Sequence, residues 1–533
     1  MKKLFSNHKR LFTDILVLIG VFVFVFISYF VFKPLYFASD SGYGPFDGLI
    51  PRIYITILLL AIVTTGIILG FYKKLNIEIL LFLIFLFGVV MQLNYMLITP
   101  YNYRQHDVLS DVGHQGYATI LYQTGKLPTK VDETGHLAYQ FYHPPLNALM
   151  QAFFMRVCQP FMHLYNALSG KAYYDVTNVN HLYQTSEILA TFYTNISLYF
   201  GIKIAYRLQI SNRLKAAGAA FLALFPAMFI LAGQENNDPL CIMNCFIVIY
   251  FTCKWWNEKT YFSAVMIGLF TGLAMMAKLS GALAILPALV AFIYSIINAI
   301  VKKETSKHYF IQGGIITVLA APIGLWFQIY AKARFDQPFG FVFSNLNPAL
   351  YVGDHNFFER FVNIFDFTDL TKQLWGVTGS YTNSAGELIT ANYNLPNFLI
   401  KSAIFGEYSF LCATHFGILT LAFNYLFVYT SLVLIIIYFI KSKDENLKIK
   451  IIAGSLLLTQ LIAQLYFNIK MPYGCTMDFR YIVPIILSFM ILDCLAFDKF
   501  LKEKSYRKVL SIIVLTVGGL FLVSSTLFYL NAI

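Results

Sequence analysis

Charge is what this sequence has least of. Only 12% of its 533 residues are Asp, Glu, Lys or Arg, about half the share of an ordinary soluble domain, while 58% are hydrophobic. Mean hydropathy is +0.64. Apolar runs of about 18 residues or more recur along the whole length, which excludes a soluble globular protein. The runs are continuous rather than alternating, which excludes a β-barrel, so the spans are helices that satisfy their own backbone groups. A cysteine framework is missing too. The seven cysteines are scattered, mostly inside apolar runs (Cys241, Cys245, Cys412, Cys494), with no Cys-x-x-Cys. They read as packing thiols, with Cys158 and Cys475 the pair placed to face outward. No small-residue cleavage site follows the basic start Met1 to Arg10, so the first apolar run reads as an uncleaved helix.

The net charge of +12 has no basic stripe to make it a nucleic-acid surface. Lys and Arg cluster in short segments between apolar runs, as expected of cytoplasmic flanks against anionic headgroups. No internal repeat is visible, and charges deep in the spans are few. Asp14 and Lys203 lie near cytoplasmic ends, where they can snorkel. A coupled carrier would bury ionisable groups mid-membrane and often shows matched halves. A transporter or flippase of lipid-linked glycans is therefore the second reading, and a non-catalytic envelope scaffold the third.

What is present is an all-α polytopic membrane protein of about thirteen spans. They are Leu11–Phe32, Tyr54–Phe71, Ile77–Ile98, Ser186–Tyr206, Ala216–Ala232, Leu240–Cys253, Tyr261–Ala277, Ala282–Val301, Tyr309–Tyr330, Phe416–Ile440, Ile451–Asn468, Tyr481–Phe497 and Val509–Leu530. Each intervening cytoplasmic turn carries at least two Lys or Arg, which puts the N-terminus inside and two long segments, 99–183 and 331–411, outside. The chain divides into a hairpin (1–76), a core with an external loop (77–330), an external segment (331–411) and C-terminal helices (412–533).

Chemistry concentrates in the first external segment. Asp107 follows the third span by about nine residues, near the outer surface. A carboxylate there can take the proton of an acceptor hydroxyl as a sugar carbon is attacked, or it can be a solvated loop residue. Asp107, Asp111 and His114 stand at i, i+4 and i+7, so a helix would align them, with His106 beside them. Such a group can bind a divalent ion (Zn, Mn or Mg), with Asp111 and His114 as ligands, or form a hydrogen-bonded network. Tyr142-His143-Pro144-Pro145 is a stiff element that either presents an aromatic and an imidazole to a site or simply leads into an amphipathic interfacial helix, Leu146–Val157.

Several cations break the positive-inside pattern: Lys278, Lys332, Arg334, Arg360, Lys372, Lys470 and Arg480. Lys278, Arg480 and Arg334 are candidates to bind a lipid phosphate at headgroup depth. Arg480 can instead pair with Asp478. Glu235-Asn236-Asn237-Asp238-Pro239 either contributes Glu235 and Asp238 to substrate binding or caps the next span.

Together these stretches resemble the GT-C membrane glycosyltransferases, closest to the bacterial protein-mannosyltransferase and lipid A aminoarabinose-transferase branch (families 39 and 83). The resemblance spans about residues 77–497. It rests on the Asp107 loop, Gln140–Leu146 (QFYHPPL), Ala277–Gly281 (AKLSG), Phe335–Phe339, Phe405-Gly406-Glu407 and Arg480–Pro484 (RYIVP). It implies a GT-C fold with interfacial helices in the long loops. It also implies an inverting transferase with a polyprenyl-phosphate sugar donor, a lipid, polysaccharide or protein acceptor, and an active site on the non-cytoplasmic side. Asp107 would be the general base. Many relatives carry an acidic pair there, whereas this chain has His106 and Val108 as neighbours. It also lacks the large soluble domain some relatives append, so acceptor binding falls to 331–411.

Overall fold

A computed structural model describes residues 2–37, 49–99, 110–170, 175–343, 351–365, 381–382, 388–389, 393–406, 415–442 and 446–531. Three helices lead in: α1 (Lys2–Phe37), α2 (Leu49–Phe71) and α3 (Ile77–Ile98). The first long loop holds α4 (His114–Thr124), α5 (Leu146–Ser169) and α6 (Val179–Gln184). The core follows with α7 (Ser186–Arg207), α8 (Asn212–Leu224), α9 (Pro226–Ala232), α10 (Asp238–Glu258), α11 (Tyr261–Ala277), α12 (Ile285–Val301) and α13 (Lys307–Phe335). The second segment contributes α14 (Phe357–Phe361), a two-residue strand pair (Tyr381–Thr382 with Leu388–Ile389) and α15 (Leu395–Phe405). The chain closes with α16 (His415–Lys441), α17 (Leu447–Lys470), α18 (Ile485–Phe500) and α19 (Tyr506–Asn531).

Among the described residues ten helices are long and apolar enough to cross a bilayer, and two bent pairs raise the number to twelve. The helix α11, 17 residues long, supplies the thirteenth expected segment, about 26 Å against a hydrocarbon core of about 30 Å. Two expected spans are broken. Pro226 forces Phe225 into an extended conformation, and α8 and α9 meet at 45°. The second break separates a 3₁₀ stretch, residues 474–482, from α18 at 51°.

Most charged residues sort to the two ends of the bundle; Asp493 of α18 lies between them and accepts from the Ser431 hydroxyl of α16 at 2.6 Å. At one end Lys203 pairs with Asp14, Arg207 with Glu258 at 3.3 Å, and Tyr206 donates to Glu78 at 2.9 Å. Asp14 and Lys203, near the span ends where they can snorkel, also hold α1 to α7. The opposite end carries the C-termini of α3 and α11 and the N-termini of α7 and α10, together with both long segments. Lys33, on the last turns of α1, is fully buried there. It pairs with Glu187 at 2.9 Å and donates to the carbonyls of Thr99, at 2.6 Å, and Met96. That one ammonium ties the first helix to the ends of α3 and α7.

The amphipathic helix expected over Leu146–Val157 continues as α5 to Ser169, through Pro160. Phe153, Leu164 and Leu168 are exposed, while Phe154 packs edge-on against Phe22 and Phe26 of α1. Its polar face lies on the candidate site.

Candidate active site

The site is built around the turn between α9 and α10. Gln234, Glu235, Asn236 and Asn237 are all buried, so their backbone groups need protein partners. α5 supplies them: Asn147 donates to the Asn236 carbonyl at 3.1 Å and Gln151 to the Glu235 carbonyl, which the Tyr183 hydroxyl also reaches at 3.0 Å. Asn237 stands at the N-cap of α10 but makes no side-chain cap bond. Asn236 Oδ1 accepts from the Asp238 amide at 3.0 Å instead. The capping alternative thus goes to Asn236, and the Asp238 carboxylate is directed elsewhere.

It meets two cations from distant stretches. α11 ends at Lys278, whose extended backbone (φ −156°) breaks the helix before a 3₁₀ turn, Leu279–Ala284. Gly281 permits that turn, since a Cβ there would lie 2.6 Å from the Ala274 carbonyl. Lys278 Nζ then donates to Asp238 Oδ1 at 2.5 Å. From the other side, Asp478 Oδ1 accepts from the Arg480 backbone amide at 2.7 Å, capping the 3₁₀ turn Phe479–Ile482. The Asp478 cap therefore uses the backbone, and the Arg480 guanidinium is directed to Asp238, with Nε 3.6 Å from Oδ2. Arg480 also donates to the Tyr481 hydroxyl at 3.1 Å, and Lys278 lies 4.4 Å from the Tyr481 ring centre. One carboxylate and two cations leave a net charge of +1, beside a cavity of about 20 Å³.

The other candidates separate into groups. His114 is buried at the start of α4 and stacks with His143 at 5.9 Å, while Tyr142 lies against His143 at 4.1 Å. These three come together, and His143 stands four residues before the Asn147 that holds the Asp238 turn. Asp111 does not align with His114 on a helix, because α4 begins at His114 itself. The chain doubles back, and a Cβ on Gly116 would sit 2.1 Å from the Asp111 carbonyl oxygen. Asp111 is exposed and pairs with Lys130 at 2.8 Å, which holds its carboxyl below the usual range. Among the described residues no three His, Cys, Asp or Glu side chains form a metal-binding group, so Asp111 and His114 have no third ligand there. His106 and Asp107 lie outside the described residues.

Glu235 does not line the cavity. Its carboxyl is buried beside Lys33 and Glu187, and burial, then the Glu187 charge, raise it well above the ordinary carboxylate range. Arg334 is exposed on the last turn of α13 and does not line the cavity. Arg360 is buried and donates to the Asn468 carbonyl at 3.2 Å, and Lys332 pairs with Asp336. Lys372 lies outside the described residues.

Sequence reasoning missed Lys33 and Glu187. Lys33 is itself a cation closing an apolar run, at the same end of the bundle as Lys278 and Arg480. It also missed Tyr481 as the ring under both cations.

Residues 177–326 match the model of the dolichyl-phosphate-mannose-protein mannosyltransferase family. That stretch runs from two residues before α6 into α13 and contains Glu187, Glu235, Asp238 and Lys278. No match was found among curated proteins. Among solved structures, the chain is similar to the crystal structure of ArnT from Cupriavidus metallidurans bound to undecaprenyl phosphate. Identity is 12% and the TM-score 0.43, over 83% of this chain and 75% of that one.

Proposed function

Taking the chain as a GT-C membrane glycosyltransferase, we propose that it moves a sugar from a polyprenyl-phosphate donor to an envelope acceptor. The transfer takes place on the non-cytoplasmic face with inversion at the anomeric carbon. The observation that carries this reading is the meeting of Lys278 and Arg480 on Asp238. A polyprenyl-phosphate sugar is a phosphodiester with one negative charge, matched by the net +1 of the three residues. As the bond from the anomeric carbon to the phosphate oxygen breaks, the leaving polyprenyl phosphate gains a second negative charge. Fixed cations beside that oxygen stabilise the charge where it develops. Lys278 has three N–H donors and gives one to Asp238, so others remain for a phosphate oxygen. Asp238 orients the cations and keeps them from repelling each other before the donor binds.

Asp107 is the general base: it takes the proton of the acceptor hydroxyl while that oxygen attacks the anomeric carbon. The acceptor approaches over the second external segment. Support for this is that residues 351–352 dock on the turn after α17, where Val352 N donates to the Pro472 carbonyl at 3.1 Å. That turn leads directly into the stretch carrying Arg480.

The test is Asp107→Asn in the full chain, reconstituted with a polyprenyl-phosphate sugar. The expected result is a stable, inserted protein that binds the donor and transfers no sugar. A fully active Asp107→Asn protein removes the proposed base. Movement of the intact donor across the bilayer by wild type, without transfer, overturns the enzymatic reading altogether.

A further inference from the structure

α17 carries three amide side chains one helical turn apart, Gln460, Gln464 and Asn468, all buried. Two of them hold the neighbouring turn. Gln464 donates to the Thr476 carbonyl at 3.0 Å, Asn468 donates to the same oxygen at 3.2 Å, and the Thr476 hydroxyl donates to Asn468 Oδ1 at 3.2 Å. Gln460, one turn further from that end of α17, is 4% exposed and has no hydrogen-bond partner among the described residues. It lines the cavity with Asp238, Lys278, Arg480 and Tyr481, where the rest of the wall includes Ile242, Leu283 and Pro484. A glutamine this buried, whose carboxamide has no partner among the described residues and opens on a charged cavity, points to a ligand there.

We infer that Gln460 is a third ligand of the donor phosphate, its amide N–H donating to a phosphate oxygen that Lys278 and Arg480 neutralise. The inference rests on those two cations being the phosphate site. The chemistry suits an amide. The site already matches one negative charge; a third cation would hold the doubly charged product after transfer, and a carboxylate would repel the donor. The cavity, about 20 Å³, has room for one water molecule, so the phosphate group sits at its mouth with one oxygen directed inward.

The experiment measures binding of farnesyl phosphate, with farnesol as the uncharged control, to the purified full chain. The proteins compared are wild type, Gln460→Met and Gln460→Glu. Wild type should prefer the phosphate. Gln460→Met should weaken phosphate binding by roughly 10- to 100-fold, as expected for a lost bond to a charged group. Gln460→Glu keeps the shape, should bind phosphate more weakly still at about pH 8, and should recover as its carboxyl is protonated at lower pH. Farnesol binding should not change. If both variants bind phosphate like wild type, or if Gln460→Glu shows no pH dependence, Gln460 is not a phosphate ligand. If wild type itself does not distinguish farnesyl phosphate from farnesol, the reading of Lys278 and Arg480 fails and this one fails with it.

Discussion

Replacing Asp238 by asparagine separates an organising carboxylate from one that binds substrate. The substitution removes the negative charge between Lys278 and Arg480, so the cluster goes from net +1 to net +2. The side chains of Lys278 and Asp238 are 14% and 5% exposed, so the pair counts as buried. Losing one partner of a buried ion pair costs about 3–5 kcal/mol of stability. The effect on a phosphate has the opposite sign. A carboxylate about 4 Å from a phosphate oxygen repels it by about 4 kcal/mol at an effective dielectric of 20. Solvent and side-chain relaxation cancel much of that, leaving roughly 1–2 kcal/mol, or 5- to 30-fold tighter binding of the lipid phosphate. Turnover should fall all the same, by about two orders of magnitude, because Lys278 is no longer held in place while charge develops on the leaving oxygen. The expected signature in proteoliposomes is a lower melting temperature, unchanged or tighter farnesyl phosphate binding, and a large loss of kcat. Lys278→Met should instead lose both binding and kcat. If Asp238→Asn weakens phosphate binding as much as Lys278→Met does, Asp238 is not an organiser of the cations and the charge argument is refuted.

Two further perturbations address the buried cluster beneath the turn. Lys33→Met leaves Glu187 buried without its cation and should destabilise by about 3–5 kcal/mol, whereas Lys33→Met with Glu187→Gln should recover a large part of that loss. Strictly additive effects in a double-mutant cycle, read by equilibrium unfolding in detergent, would show the pair is not coupled. Glu235 tests the pH dependence. Burial raises its carboxyl in the folded protein, so the folded state holds a proton that the unfolded state has released. Its stabilising contribution is complete below the unfolded value, 4.5, and is lost as pH rises through the folded value. Glu235→Gln mimics the protonated acid and should flatten the fall in melting temperature with rising pH. Parallel melting curves for variant and wild type would rule this out.

The bundle was legible in the sequence because run length and the positions of Lys and Arg are local signals. Even the break at Lys278, set by a short polar turn and Gly281, could be read that way. The kink at Phe225-Pro226 had its signal in the proline, but a window of seventeen apolar residues outweighed it. The alignment of Asp111 with His114 failed because spacing says nothing about where a helix begins. Gly113 starts α4 late and Gly116 lets the chain fold back on it. The site was legible only in pieces. Lys278 and Arg480 stood out one at a time as cations on the wrong side, and Asp238 as one acid in a polar turn. No periodicity announces that residues 238, 278 and 480 meet, because that depends on how three helix ends pack. Lys33 escaped notice because it stands directly at the end of a long apolar run, with no polar neighbour to mark it.

The Lys33 pairing also constrains how the chain is assembled. A cation near the end of the first helix finds its carboxylate only after α7 has been synthesised, and until then it must stay at the lipid boundary or in a polar translocation environment. The first helix therefore reaches its final position late, as a latch closing on segments made after it. Expressing the chain from α3 onward would leave Glu187 and Glu235 sharing a pocket without Lys33, on the underside of the turn that carries Asp238.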